Sequence, residues 1–219
     1  LINELGDCIL ENILQDAKSW HSQGVHTLIC INISAIQLGM DGFADYLISK
    51  IKDYNLKLSS FEIEITENVL IQNMKKTLSN IIKLTNHGIR IAIDDFGTGF
   101  SGLSYLKKFP ADKIKIDRSF ITDVIRDRSD AAIAQGVISM AHPLSLQVVA
   151  EGVETEAQAA FLRRNTRDLL HGFLFAKPMP FKLLMEFMNT NTQSAKQDPR
   201  PDDVHEKTML LLDDEREID

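Results

Sequence analysis

The sequence predicts an α/β chain folded as a (β/α)8 barrel whose first two strands lie ahead of residue 1. Three observations carry this reading. Short β-branched runs alternate strictly with helical periodicities, which calls for a parallel sheet with helices outside it. The polar residues that close successive runs are Asn32, Glu64, Asp94, Lys115, Glu151 and His171. They stand 32, 30, 21, 36 and 20 residues apart, scattered about the roughly 31 residues per unit of a barrel of about 250 residues. Six units fit into 219 residues, and the first segment is helical with no strand before it. An open doubly wound sheet is the alternative.

The elements follow in order. Leu5, Ile9, Ile13 and Trp20 form the first helical stripe, stopped by Gly24,. The strand runs are His26–Ser34, Phe61–Glu67, Ile89–Asp95, Lys113–Asp117, Gln147–Glu151 and Leu169–Phe175, each short, apolar and bounded by turn or polar residues,. Between them, Phe43, Leu47, Ile51 and Tyr54 make one stripe, and Leu70, Met74, Leu78, Ile81 and Ile82 make another, stopped by Gly88. Ser129 is the expected N-cap of a helix over Asp130–His142 that Pro143 ends,. Thr155 with Gln158 makes a capping box for the helix through Arg164, and Phe181–Met188 is a last amphipathic helix,. Residues 1–191 form the barrel domain. Residues 192–207 are polar and Pro-containing, hence a linker, and 208–219 begin with an apolar run closed by acids,.

Composition excludes several function classes. The chain is 44% hydrophobic and 25% charged, an ordinary globular balance,. Its 24 basic and 31 acidic residues give a formal charge of −7, with no basic stripe to meet a nucleic-acid backbone,. Two cysteines, Cys8 and Cys30, are too few for a disulfide scaffold or a zinc site,. No apolar run reaches the ~20 residues of a membrane helix, and no basic-then-apolar leader stands at the start,. The expected location is the cytoplasm.

Strand alternation places the chemistry. Glu62 and Glu64 share a face, as do Lys113, Lys115 and Asp117, and as do Gln147, Val149 and Glu151, while the isoleucines between them face the helices,. In a barrel, Asn32, Glu64, Asp94, Lys115 and Glu151 therefore line the interior at the C-terminal strand ends, where active sites of such barrels sit. Buried carboxylates are costly unless paired or bound to metal. Glu64, Asp94, Asp95 and Glu151 with the Asn32 amide make an all-oxygen donor set, which favours Mg2+ or Mn2+ over zinc. Lys115 is the placed cation among them; beside metal ions its hold on its proton is expected to weaken, so that it holds or deprotonates a water. Two metals bridged by carboxylates are the usual apparatus for phosphodiester cleavage. The loop after Asp95, Phe96–Ser104 (FGTGFSGLS), has three glycines that let backbone approach a ligand,.

Taken together, these strings resemble the EAL-type cyclic-di-GMP phosphodiesterase domain of bacterial signalling proteins. The matching strings are CINIS at Cys30–Ser34, EITEN at Glu64–Asn68, DDFGTGFSGLSYL at Asp94–Leu106, KIKIDRSFI at Lys113–Ile121, VVAEGVET at Val148–Thr155 and HGFLFAKPMP at His171–Pro180. The resemblance covers about residues 1–190. It implies an EAL-type barrel, similar to the TIM barrel, that linearises cyclic di-GMP to pGpG with two Mg2+ or Mn2+ ions. By that resemblance Asn32, Glu64, Asp94, Asp95 and Glu151 match metal ligands, and Lys115 matches a water-orienting lysine. Glu67 matches the glutamate that anchors the glycine-rich loop (Phe96, Gly97, Thr98, Gly99), through Ser101. Asp117 and Glu154 match further acids of the site, and Lys177 and Pro178 match positions near the ligand's edge.

The chain departs from the pattern in named places. The Glu-Ala-Leu tripeptide, with its own metal-binding Glu, belongs to a strand ahead of residue 1, so these 219 residues alone are expected to hydrolyse cyclic di-GMP poorly. His171 stands where Gln is usual, a bulkier hydrogen-bonding stand-in for an amide, and Asn165-Thr166-Arg167 replaces an apolar, Gly-containing stretch. Phe100 replaces a Tyr and Gly102 a Ser. The alternative function is a catalytically weak receptor that binds cyclic di-GMP and passes on a conformational signal. The resemblance also implies a homodimer through Leu103, Tyr105, Leu106, Phe120 and Ile121, for which a core role is the equal alternative. The tail TMLLLDDEREID resembles the first strand of a response-regulator receiver domain, expected to be disordered or docked on a neighbour. The other histidines, His21, His26, His87, His142 and His205, are assigned nothing.

Overall fold

Every β-branched run forms a strand; each strand is shorter than the run that announces it except the third, which keeps seven residues and shifts by one. A computed structural model of the chain describes residues 2–70, 74–99, 106–165, 168–188 and 210–211. The strands are β1 (Ile29–Asn32), β2 (Phe61–Thr66), β3 (Arg90–Phe96), β4 (Lys113–Ile116), β5 (Gln147–Ala150) and β6 (Leu169–Leu170), with β7 (Leu210–Leu211) from the tail. The helices are α1 (Ile2–Ser22), α2 (Ala35–Leu38), α3 (Phe43–Asp53), α4 (Met74–Asn86), α5 (Arg118–Thr122), α6 (Arg128–Ala141) and α7 (Glu156–Asn165), then α8 over 181–188.

The sheet runs β6-β5-β4-β3-β2-β1-β7, with neighbouring strands parallel throughout. From β1 to β6 the spatial order is the chain order. A doubly wound sheet reverses its order at a switch point; this one does not. Crossovers of one hand then put the helices on one side, and the twisted sheet curls into part of a barrel. The outward residues Ile31, Ile63, Ile65, Ile91, Ile93, Ile114, Ile116 and Val148 join Leu14, Leu47, Ile51, Ile81, Leu84, Ile138 and Leu162 in one continuous core. Each such side chain stabilises the fold by about 1.5–3 kcal/mol through burial. No helix among the described residues is long and apolar enough to cross a membrane.

Four local expectations are corrected. Leu5 is 61% exposed, because α1 buries Leu10, Leu14 and Ala17, and at about 3.6 residues per turn Leu5 falls well round from that stripe. Ile82 is 43% exposed beside the fully buried Ile81, since adjacent helical residues cannot share a face. The cap of α6 is Asp127, whose carboxylate accepts the Ser129 N–H at 2.6 Å; Ser129 is the donor, and the acid also faces the positive end of the helix dipole. Leu106 and Ile121 are core residues, which removes them from any dimer surface, while Phe120 is half-buried; Leu103 and Tyr105 lie outside the described residues. The Thr155–Gln158 capping box is present, with bonds of 2.8 and 3.3 Å.

Of the tail, β7 pairs in parallel with Ile29 and Cys30 of β1. It docks on the chain's own open edge, whose unpaired backbone groups offer a template. The linker 192–207 and the rest of the receiver-like tail lie outside the described residues. Four histidines assigned no role have partners: His142 Nε2 lies 2.5 Å from the Asp168 carboxylate, His21 meets His26, and His87 Nδ1 lies 2.8 Å from the Lys83 carbonyl.

Gly172 closes β6 against the backbone of the segment after β5. A Cβ there would stand 2.3 Å from both the nitrogen and the oxygen of Val153. Gly172→Ala is therefore expected to destabilise by about 3 kcal/mol or more, read by chemical denaturation. Gly136→Ala in α6, where a Cβ meets nothing within 4 Å, is the matched control, expected to stabilise by about 0.5–1 kcal/mol.

Candidate functional site

The inward face of the sheet carries two tiers of charge. In the lower tier Lys113 of β4 lies 2.8 Å from Glu62 of β2, both buried, and the Cys30 thiol lies 3.8 Å from the same glutamate. Burial pushes that thiol far up, with Glu64 and Glu62 adding to the shift. Cys30, Glu62 and Glu64 could be read as a metal-binding trio. A thiol that keeps its proton and acids already paired with lysines argue against that reading.

The upper tier sits at the C-terminal rim. Lys115 Nζ lies 2.8 Å from Glu64, 3.0 Å from Asp94 and 2.8 Å from Glu151. Register explains the convergence: Asn32 pairs with Glu64 and Thr66 with Asp94, while Glu151 follows directly on β5, whose Val149 pairs with Lys115. Burial alone would lower the Lys115 pKa, but Glu64, Glu151 and Asp94 outweigh it and the net shift is upward. In this metal-free cage the three carboxylates hold Lys115 as a cation. Burial pushes Glu64 up despite Lys115. Glu151 is pushed up by burial but held below its ordinary value by His171 and Lys115.

Two adjacent aspartates on a regular strand would face opposite ways. Here the β3–β4 register shifts between Ile93 and Phe96, and Asp95 takes the left-handed conformation at φ 53. Asp94 Oδ1 accepts the Asp95 N–H at 2.9 Å. This bulge re-aims Asp95 toward the rim, where burial first, then Asp94, Asp117 and Glu151, raise its pKa. Such a strained, bulged position is typical of functional sites. The sequence carries no signal for it beyond the doubled Asp.

Glu67 is buried at the start of a 3-10 turn, Glu67–Leu70. Its carboxylate accepts the Gly97 N–H at 3.3 Å and touches Gly99, where a Cβ would stand 3.2 Å from the carboxyl carbon. The glutamate thus anchors the loop at Gly97 and Gly99; Ser101, the expected contact, lies outside the described residues. Thr98 Oγ1 donates to the Asp95 carbonyl at 2.8 Å. Phe96 is buried in the core, so its side chain is packing, not a ligand contact.

The remaining expected residues divide. His171 Nδ1 lies 3.8 Å from Glu151, beside the rim. Asp117 caps α5 by accepting the Ser119 N–H at 2.9 Å. Glu154 is exposed and paired with Arg118 at 3.0 Å, a partner the sequence reading missed. Lys177 lies 5.6 Å over the Phe173 ring, and both it and Pro178 are exposed. Asn32 is exposed at the end of β1.

The rim fits a hard cation. Glu64 Oε1 and Glu67 Oε1 are buried with no hydrogen-bond partner among the described residues, and three carboxylates share one lysine. An uncompensated buried carboxylate oxygen is costly. A divalent ion with oxygen ligands satisfies it.

Comparison with known proteins gives concordant matches. The family model described as "EAL domain" matches residues 1–178. Cyclic di-GMP phosphodiesterase NbdA of Pseudomonas aeruginosa is 40% identical over 189 residues, 86% of this chain and 24% of that protein. The structure described as PaMucR phosphodiesterase in its c-di-GMP complex is 38% identical with a TM-score of 0.79, covering 84% of this chain and 75% of that one. Klebsiella pneumoniae BlrP1 in a manganese/cy-diGMP complex is 29% identical with a TM-score of 0.72, covering 81% and 46%. The chain spans about a quarter of the length of the curated relatives it matches.

Proposed function

Since the chain belongs to the EAL domain family, we propose that it hydrolyses cyclic di-GMP to linear pGpG with two Mg2+ or Mn2+ ions, held by Asn32, Glu64, Asp94, Asp95 and Glu151. The observation that carries this reading is the Lys115 cage of Glu64, Asp94 and Glu151, with a Glu64 oxygen that has no hydrogen-bond partner among the described residues. Divalent ions held by these residues would activate water and take up charge on the phosphodiester. Lys115 does the rest as a cation. It keeps the three carboxylates in place, and its N–H groups orient a water without removing a proton. His171 sets the orientation of Glu151 and shields its charge. Glu67 fixes the glycine loop so that its backbone meets the phosphate edge of the dinucleotide.

Calorimetry tests the binding half of this reading. Cyclic di-GMP should bind with Mn2+ present and bind more weakly by an order of magnitude or more in excess chelator; equal affinity in the two would sink the metal assignment. Glu67→Gln keeps the size of the side chain and weakens its hold on Gly97. Turnover is expected to fall about 10–100-fold, as for residues that orient a site from behind, with the melting temperature nearly unchanged.

The acids also predict a metal-linked stability. Glu64 and Asp95 are raised in the metal-free fold, so the folded state binds protons more tightly than the unfolded chain, and these two acids cost stability as pH rises through and above the carboxylate range. Glu151 is lowered and works oppositely, contributing stability that is lost as pH falls. Mn2+ at about 100 times its Kd should add about 2.7 kcal/mol, or roughly 5–10 °C in Tm for a domain of this size. The shift should be larger at pH 8 than at pH 5, where protons compete for Glu64 and Asp95. Differential scanning fluorimetry reads it, and a pH-independent shift would contradict it.

A further inference from the structure

The C-terminal end of α1 carries a second set of ligand-bearing side chains, at the opposite end of β1 from the catalytic rim. The chain reverses there through a helix-ending motif: Gly24 N–H donates to the His21 carbonyl and Val25 N–H to the Trp20 carbonyl, each at 3.0 Å, with Gly24 at φ +81. This reversal satisfies the last carbonyls of the helix and fixes the backbone on both sides of it. It returns His26 onto His21. The two Nδ1 atoms lie 2.9 Å apart, the ring centroids 4.2 Å apart, and the ring planes meet at 72°.

That geometry is more than a hydrogen bond. Two imidazoles lined up for a straight N–H···N bond would hold their centroids about 5 Å apart. At 4.2 Å, with the planes at 72°, the rings depart from that straight alignment, and the 2.9 Å between the Nδ1 atoms lets one ion reach both. A cation about 2.0–2.1 Å from each nitrogen would close an angle of about 90° between them, the angle of square-planar or octahedral ions and not of tetrahedral zinc. Imidazole nitrogen suits late divalent d-block ions, whereas the all-oxygen rim suits Mg2+ and Mn2+. We infer that His21 and His26 form a two-imidazole chelate for one Ni2+ or Cu2+ ion, separate from the catalytic rim.

The chain carries its own reporter. Trp20, the single tryptophan, precedes His21 and stacks on Phe181 at 5.2 Å and 7°. Ni2+ is titrated into the untagged 219-residue chain with excess Mg2+ present to occupy the rim, and tryptophan fluorescence is followed. Quenching should saturate at one Ni2+ per chain. His21→Gln and His26→Gln should each raise the half-saturating concentration at least about tenfold, because the second imidazole binds at high effective concentration. His87→Gln, whose ring is held by the Lys83 carbonyl at 2.8 Å, should leave the titration unchanged. Quenching that is unsaturable in the wild-type chain, or identical in the His21→Gln/His26→Gln double variant, overturns the site. Protection of His21 and His26 from diethyl pyrocarbonate by Ni2+ in the wild-type chain gives a second reading that needs no variant; its absence overturns the site equally.

Discussion

Lys115→Met is expected to destabilise the metal-free protein by about 3–5 kcal/mol and to abolish turnover. The ammonium is buried between three acids at 2.8–3.0 Å. Methionine fills the stem's volume but leaves Glu64, almost fully buried, beside two further carboxylates with no counter-charge. Breaking a buried ion pair by removing one partner costs more than the pair is worth, because the remaining charge is stranded. Protonating the acids is the escape, so the variant should recover part of its stability as pH falls toward 5. Mn2+ should recover part of it at neutral pH by supplying charge from solution. Denaturation at pH 5 and pH 8, with and without Mn2+, reads both effects. A loss equal at both pH values would mean that packing, not charge, is what Lys115 supplies.

Asp94→Asn separates catalysis from stability. The amide is isosteric, and Lys115 keeps Glu64 and Glu151 as partners. Asp94 also raises its neighbour Asp95, so removing its charge relieves crowding. The metal-free variant is therefore expected to melt at or above the wild-type temperature. Hydrolysis should fall by at least about 10²–10³-fold, the scale for losing one preorganised electrostatic contact, and the Mn2+-induced rise in Tm should shrink. Stability gained where activity is lost is the usual signature of a functional cluster of like charges. A variant that loses both together would mark Asp94 as structural.

Much of this site was legible before any coordinates. The alternation of Glu62 with Glu64 and of Lys113 with Lys115 put the ionic residues on one face of their strands, and parallel pairing made the strand ends meet. What periodicity could not supply was where the backbone leaves regularity. The bulge at Asp95 depends on the β3–β4 register, which is set by a neighbour 20 residues away. The depth of Phe96 follows from the same shift. The cap at Asp127 and the turning of Leu5 and Ile82 to solvent were misread because a helical stripe fixes a face only to within a residue. The pairing of His21 with His26 was invisible because their five-residue spacing fits no helix or strand period; it exists only through the reversal at Gly24.

The most direct test of the central claim is product chromatography. The protein is incubated with cyclic di-GMP and Mn2+, beside its Asp94→Asn variant and a chelator-treated sample. The account predicts pGpG from the wild-type protein with Mn2+ and almost none from the other two. Cyclic di-GMP recovered intact from the wild-type sample, with binding confirmed by calorimetry, would contradict it and make the domain a receptor.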